Sequence, residues 1–281
     1  MTRTVRVAVP SKGRLRDDVL DLLSTAGYRV GGLRGRGSMV RAGELELIEM
    51  RPRDAAAALG AGALDGAFIA TDIALEADVA DLTRLPLGTS RSTLVMAVRE
   101  DADILGVSDL EGGVVATHMP QLTGRYLAEA GVTARVLAMG GSLEGLCASG
   151  LADAIVDNTE TGTSLRQNRL RVVATLAECE AEFVHRSDLP ELTDLEFRIE
   201  AALRAREHRY VMLHLPPDLI DDLADVFHGL AAPTVLPLAG RDDLVAAHFV
   251  VRATEFWDRL GLLRDMGATG IVALQPDALP P

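Results

Sequence analysis

Two spacings of apolar residues alternate along this chain, and the switches between them lay out an α/β architecture. Val5–Val9 is a short apolar run that ends in the turn Pro10-Ser11-Lys12-Gly13-Arg14. Leu15, Val19, Leu22, Leu23 and Ala26 then recur at helical spacing until Gly27 stops the helix. Glu44–Met50 alternates as a strand, and Arg51-Pro52-Arg53-Asp54 opens an Ala-rich helix that ends near Gly60–Gly62. Asp65–Ala70 is another strand, with Thr71-Asp72 beginning the next helix. Strand and helix in alternation predict a parallel sheet with helices on both faces.

Ser92–Val98 reads as a strand leaving this first unit. Val114–Thr117, helix Leu122–Ala130, strand Ala134–Ala138, helix Ser142–Ser149 and strand Ala154–Val156 build a second α/β unit. The strand-like runs Val172–Leu176 and Phe183–His185 are expected to return to the first. Two lobes joined by crossing strands leave a cleft where a ligand usually sits. After a helix over 191–209 the order becomes strand Tyr210–Leu215, helix Asp218–Phe227, strands Thr234–Leu238 and Leu244–Val251, helix Thr254–Met266 and strand Ile271–Leu274. That is the ferredoxin-like order, with Gly229 and Gly267 where helix stops are expected. The expected division is therefore residues 1–91 plus 171–190 as one lobe, 92–170 as the second, and 191–281 as a helix with a ferredoxin-like domain.

Charge narrows the partners. The 281 residues carry a formal net charge of −13, and such a surface repels nucleic acid. An anionic substrate would need local Lys or Arg, or a divalent cation, to offset the field. No apolar run approaches the length of a membrane span, and the opening residues lack the apolar core of a signal peptide. Cys147 and Cys179 are too few for a disulfide framework and have no metal-ligand spacing. A reducing cytoplasm is expected.

The most informative segment is Ala154-Ile155-Val156-Asp157-Asn158-Thr159-Glu160-Thr161-Gly162-Thr163-Ser164. An apolar strand ends in an aspartate, and a hydroxyl-rich run around one glycine opens a helix. Backbone N–H groups at such a turn, with the hydroxyls of Thr161, Thr163 and Ser164, can cradle a phosphate. Asp157 at the strand's carboxyl end can hold the vicinal hydroxyls of a sugar, or a metal bound to them. Together they describe a phosphorylated ribose; the plain alternative is an ordinary capped turn. Ser11-Lys12-Gly13-Arg14 is a second candidate anion site, since Arg grips phosphate with a fork and Lys supplies a point charge. Its alternative is a solvated basic loop. Thr71-Asp72 and His118 occupy the equivalent strand-to-helix turns, where a helix cap and an incidental loop histidine are the plain alternatives.

These residues resemble the long-form ATP phosphoribosyltransferases, the first enzymes of histidine biosynthesis, over Val5 to about Leu274. The resemblance is carried by Val7-Ala8-Val9-Pro10-Ser11-Lys12-Gly13-Arg14-Leu15, Arg51-Pro52-Arg53-Asp54, Gly140-Gly141-Ser142-Leu143-Glu144, and most closely by Gly150–Asp157 with Glu160–Leu165. Pro233-Thr234 and Gly267-Ala268-Thr269-Gly270-Ile271 resemble the family's regulatory domain. The implied fold is a two-lobed body like the periplasmic binding proteins, with a ferredoxin-like α+β domain after it. The implied reaction displaces pyrophosphate from phosphoribosyl pyrophosphate by N1 of the adenine of ATP, with Mg²⁺ required. By resemblance, Lys12, Arg14 and Asp157 are the catalytic set. Ser11, Gly13, Arg51, Asp72, His118, Asp153, Glu160, Thr161, Gly162, Thr163 and Ser164 bind substrate; His214 and Thr234 are regulatory; the ligands of the metal are not identified. Dimers assembling to hexamers are implied as well.

Some positions depart from the family pattern. Its Thr-Gly-x-Asp is here Ala70-Thr71-Asp72, its Tyr-Pro-Asn is Met119-Pro120-Gln121, and His214 stands where the family often has an aspartate. The phosphoribosyl loop is intact while the nucleotide side is altered. Two other readings follow: a paralogous phosphoribosyltransferase of nucleoside natural-product biosynthesis, and a non-catalytic nucleotide-binding regulatory protein.

Overall fold

The structure is a computed structural model that describes residues 4–35, 37–79, 82–227 and 233–280. The helix stop read at Gly229 lies outside the described residues. In chain order the elements are β1 (Val5–Pro10), α1 (Arg14–Thr25), α2 (Gly31–Arg34), β2 (Met39–Ala42), β3 (Leu45–Met50), α3 (Pro52–Gly60), β4 (Gly66–Ala70), α4 (Thr71–Glu76) and β5 (Thr83–Pro86). Then come β6 (Ser92–Arg99), β7 (Val114–Thr117), α5 (Pro120–Glu129), β8 (Arg135–Ala138), α6 (Leu143–Ala148), β9 (Ala154–Thr159), α7 (Thr163–Gln167), β10 (Leu170–Cys179) and β11 (Ala181–His185). The last are α8 (Pro190–Arg206), β12 (His208–Leu215), α9 (Ile220–Val226), β13 (Thr234–Leu238), β14 (Arg241–Arg252), α10 (Ala253–Asp265) and β15 (Thr269–Leu274).

The chain divides into two compact units. The first runs to Asp21 and resumes over Arg29–Thr193; the second takes Leu22–Tyr28 with Asp194–Pro281. Within the first unit are two sheets. One has six strands in the order β2-β3-β1-β4-β11-β5, with β3, β1 and β4 parallel. The other has five in the order β10-β6-β9-β7-β8, with β9, β7 and β8 parallel. The central strand β4 is buried on both faces, which is why it reads as an unbroken apolar run rather than an alternating one, and β1 is buried apart from Arg6. The edge strands β2 and β5 have only four residues each and carry too little periodicity to be read from sequence.

The run 172–176 does not return to the first lobe: β10 pairs antiparallel with β6 along the second sheet, from Leu170 opposite Arg99 to Cys179 opposite Ser92. The return is made by β11, which lies between β4 and β5. Residues 171–179 of the expected first lobe therefore belong to the second sheet. The chain crosses between the sheets at 87–91 and at Glu180, and the two crossings are bonded together. Leu87 N–H donates to the Ala181 carbonyl and Ala181 N–H to the Thr89 carbonyl, both at 2.9 Å. Beside them, Glu182 accepts a bidentate pair from Arg84 at 2.7 and 2.8 Å and the Thr71 hydroxyl at 2.7 Å. These bonds leave a buried carboxylate satisfied at the hinge.

The second unit contains the expected β-α-β-β-α-β module. Its four strands are antiparallel in the order β13-β14-β12-β15, around a core that includes Val211, Leu213, Phe249, Phe256 and Leu263. The expected helix at Asp218 opens instead with a 3-10 turn, Pro217–Leu219, that leads into α9 at Ile220.

Candidate functional site

In open α/β sheets the loops beyond the carboxyl ends of parallel strands collect ligands. In the first sheet these ends carry Ser11–Gly13 after β1, Arg51 after β3, and Thr71-Asp72 after β4. Because β3, β1 and β4 are adjacent, the three turns lie along one edge. Ser11 N–H donates to the Met50 carbonyl at 2.9 Å, tying the first turn to the second. Gly13 has φ +82°, a left-handed conformation that suits glycine, and it delivers Lys12 and Arg14 exposed at the start of α1. Arg14 faces Asp18 at 3.8 Å across one helical turn.

The second sheet brings His118 after β7, the segment Met139–Ser142 after β8, and Asp157 with the following loop after β9 to one edge. The His118 Nδ1–H donates to the Met139 carbonyl at 2.7 Å, which fixes the ring's orientation. Thr117 is fully buried, its hydroxyl donating to the Val156 carbonyl at 3.0 Å and accepting Met119 N–H at 2.9 Å, so the turn that presents His118 is rigid.

The loop after β9 is held largely by its own side chains. Gly162 has φ +69°, and its N–H donates to the Thr159 hydroxyl at 2.8 Å. The Thr161 and Thr163 hydroxyls are 2.9 Å apart. Arg166 reaches over them, donating to the Thr161 carbonyl at 2.9 Å and the Thr163 hydroxyl at 3.1 Å. Ser164 donates its hydroxyl to Glu144. A methyl group added at Gly162 would stand 3.1 Å from Arg166 Nη1, so the glycine makes room for the guanidinium. Hydroxyls, a guanidinium and a tight turn together are the groups that can hold an anion.

Asp157 is half-buried and accepts Asn158 N–H at 2.8 Å. Burial pushes its carboxyl above the ordinary range; the charges of Glu144 and Asp72 push the same way, against the Asn158 N–H and His118. A carboxylate so placed is a common mark of a functional site. Asp72 of the first lobe is 5% exposed and accepts the Asn158 side-chain amide at 2.7 Å across the cleft. Other bonds cross as well: Arg53 donates to the His118 carbonyl, and Glu76 accepts the N–H groups of Gln121 at 3.1 Å and Leu122 at 2.8 Å. Arg14, Gly88, Thr89, Ser90, Arg91 and Glu160 line one cleft of about 320 Å³, so the turn after β1 and the loop after β9 open into the same space.

Asp153 does not join them. It lies at the amino end of β9, the opposite end from Asp157, where its carboxylate accepts Val114 N–H at 2.8 Å and secures the start of β7. Three strand residues, Ala154–Val156, separate the two aspartates, which lie toward opposite edges of the sheet. His214 and Thr234 belong to the second unit. They share one sheet face, with Thr234 opposite His248 and His214 opposite Ala246, and a side chain at Gly270 would meet the His214 ring at 3.2 Å. Sequence reasoning missed Arg166, Arg53 and Asn158. Arg166 had a usable signal, because it stands three residues after Thr163 on the same helical face; the other two act across the lobes.

Residues 51–205 match the family described as HisG, ATP phosphoribosyltransferase, and residues 205–275 match the HisG C-terminal domain. The chain is 35% identical over 289 residues to the ATP phosphoribosyltransferase of Maricaulis maris, covering 98% of each chain. It is 36% identical over 281 residues to that of Halobacterium salinarum, covering 98% of this chain and 99% of the other. Among solved structures it is similar to the ATP phosphoribosyl transferase (HisG:HisZ) complex from Thermotoga maritima. The TM-score is 0.60 at 26% identity, with 70% of this chain and 96% of that chain covered.

Proposed function

The chain belongs to the ATP phosphoribosyltransferase family, and on that premise we propose how its own residues carry the family's reaction. It is a long-form member, since both the body and the C-terminal domain are present. The reaction joins N1 of the adenine of ATP to the anomeric carbon of phosphoribosyl pyrophosphate and releases pyrophosphate. The observation that carries the assignment of roles is the shared cleft, to which Arg14 comes from one lobe and Glu160 from the other.

The loop Thr161–Ser164, with Arg166 across it, holds the 5′-phosphate, and Asp157 holds the ribose hydroxyls. Lys12 and Arg14, with Ser11 and Gly13 shaping their turn, neutralise the departing pyrophosphate. Arg51, Asp72 and His118 border the nucleotide. No residue needs to form a covalent intermediate. The bond to pyrophosphate weakens as N1 approaches, positive charge grows on the ribose ring, and the carboxylates at its edge favour that charge. Catalysis is then positioning of two polyanions and preorganised electrostatics.

Mg²⁺ suits this donor set. Among the described residues no group of three or more His, Cys, Asp or Glu side chains is arranged to hold a metal. Mg²⁺ asks for little more, since it keeps several waters and takes one or two carboxylates plus substrate phosphates. Asp157 and Glu160 are the carboxylates that would meet a cation carried in on the diphosphate, and the cation would offset the leaving group's charge. On the same family grounds we assign residues 191–281 to regulation and assembly, with His214 and Thr234 in the regulatory part, and dimers joining into hexamers in the cytoplasm. Among the described residues no helix is long and apolar enough to cross a membrane.

The test is mass spectrometry of the protein incubated with ATP, phosphoribosyl pyrophosphate and Mg²⁺. Phosphoribosyl-ATP and pyrophosphate are expected in equal amounts. Unreacted ATP while another base or nucleotide is consumed would show that the acceptor is wrong.

A further inference from the structure

Asp72 presents a physical problem. Its carboxylate is 5% exposed, no cation pairs with it among the described residues, and Asp157 lies close enough to feel its charge. A buried carboxylate without a counter-ion is costly unless donors satisfy it, and two facing carboxylates repel. Asn158 answers both demands. Its side-chain amide donates to Asp72 Oδ2 at 2.7 Å while its backbone N–H donates to Asp157 Oδ1 at 2.8 Å. The amide is held from behind, where Asn158 Oδ1 accepts the Ser92 hydroxyl at 3.4 Å. Aspartate at 158 would add a third negative charge, and an aliphatic residue would leave Asp72 short of a donor.

We propose that Asn158 is a positioning residue that bridges the two lobes at the reacting centre, holding the Asp72 carboxylate of the first lobe against the Asp157 edge of the second. The proposal rests on the phosphoribosyl-transfer reading of the cleft. Positive charge on the ribose ring is favoured by carboxylates from both sides only while the lobes are held together. The Asn158 amide is the neutral link that lets two like charges share that edge. Closure of the lobes thereby completes the electrostatic environment of the transition state.

The test uses full-length Asn158→Leu, Asn158→Gln and Asp72→Asn, and the double variant Asp72→Asn with Asn158→Leu. Asn158→Leu is expected to keep phosphoribosyl pyrophosphate affinity, because the loop that holds the phosphate is untouched. Its kcat with ATP should fall about tenfold or more, the scale of a lost hydrogen bond to a charged group. Asn158→Gln should restore part of the lost kcat. The double variant should be no worse than Asp72→Asn alone, since the two residues act as one unit. Hydrogen exchange over residues 71–76 of the free protein should quicken in Asn158→Leu. Unchanged kcat in Asn158→Leu, or additive losses in the double variant, would overturn the proposal while leaving the reading of the cleft intact. If wild type makes no phosphoribosyl-ATP, that reading fails instead. Exchange over 71–76 then decides the bridge alone, and an unchanged rate refutes it.

Discussion

Replacing Gly162 by valine tests the phosphate loop at its tightest point. Gly162 has φ +69°, and forcing a side-chain-bearing residue into that conformation costs roughly 1–2 kcal/mol. The new Cβ would stand 3.1 Å from Arg166 Nη1, so the guanidinium must leave its bonds to the Thr161 carbonyl and the Thr163 hydroxyl. Those bonds lie at an exposed loop, and losing them adds about 1 kcal/mol at most. The fold therefore survives, with a melting temperature lower by about 2–4 °C for each kcal/mol. Binding suffers far more. Displacing even one charge-assisted donor from a phosphate costs roughly 1.5–3 kcal/mol, or about 10- to 150-fold in Kd. Gly162→Asn separates the two effects, because asparagine tolerates the left-handed region while still crowding Arg166. It should melt above the valine variant yet bind phosphoribosyl pyrophosphate almost as weakly. Titration calorimetry with the Mg²⁺ complex of phosphoribosyl pyrophosphate reads the affinity, and scanning calorimetry reads the stability. A folded Gly162→Val protein with wild-type affinity would refute the reasoning and move the ribose phosphate elsewhere.

Three further outcomes are expected. Asp157→Asn should abolish turnover yet raise the melting temperature at neutral pH, because the wild-type carboxylate is charged there against burial, Glu144 and Asp72. A raised pKa means that its stability contribution is present below the ordinary value of 3.8 and lost as pH rises through the folded-state value, so the difference between the two proteins should close in acid; a variant less stable than wild type at pH 7 would contradict this. Lys12 is the chain's single lysine, so an amine-directed acylating reagent has one side-chain target, and saturating phosphoribosyl pyrophosphate should slow its modification about tenfold or more if it screens the ammonium as a phosphate contact would. Modification at the same rate with and without substrate would remove Lys12 from the site. Histidine should inhibit weakly, because His214 stands where the family often has a carboxylate for the effector's ammonium group, and the missing charge-assisted bond costs roughly 1.5–3 kcal/mol; inhibition at micromolar histidine would overturn this.

The sequence by itself determined the local elements and their chemistry. A strand such as Gly66–Ala70 must be apolar to lie between two neighbours, and the turn after Val5–Pro10 bends at a glycine. The Ser11–Arg14 turn and the Asp157–Ser164 loop were therefore legible in a single pass, as was the ferredoxin-like order of the last module. These features depend on residues within a few positions of one another, where backbone sterics and side-chain spacing decide the outcome. Partnership across the chain was decided only by the tertiary structure. The alternation of β10 says that it is a half-buried strand, but not that β6 rather than β4 receives it, because one edge offers the same hydrogen bonds as another. Asp153 and Asp157 look alike on paper, and only the direction of β9 puts one at the cleft and the other under β7. Asn158 meets Asp72 across 86 residues of sequence, a contact that exists because two sheets are folded against each other at a hinge. Chemistry carried by one turn can be read from its residues; chemistry shared between two lobes waits for the fold that brings them together.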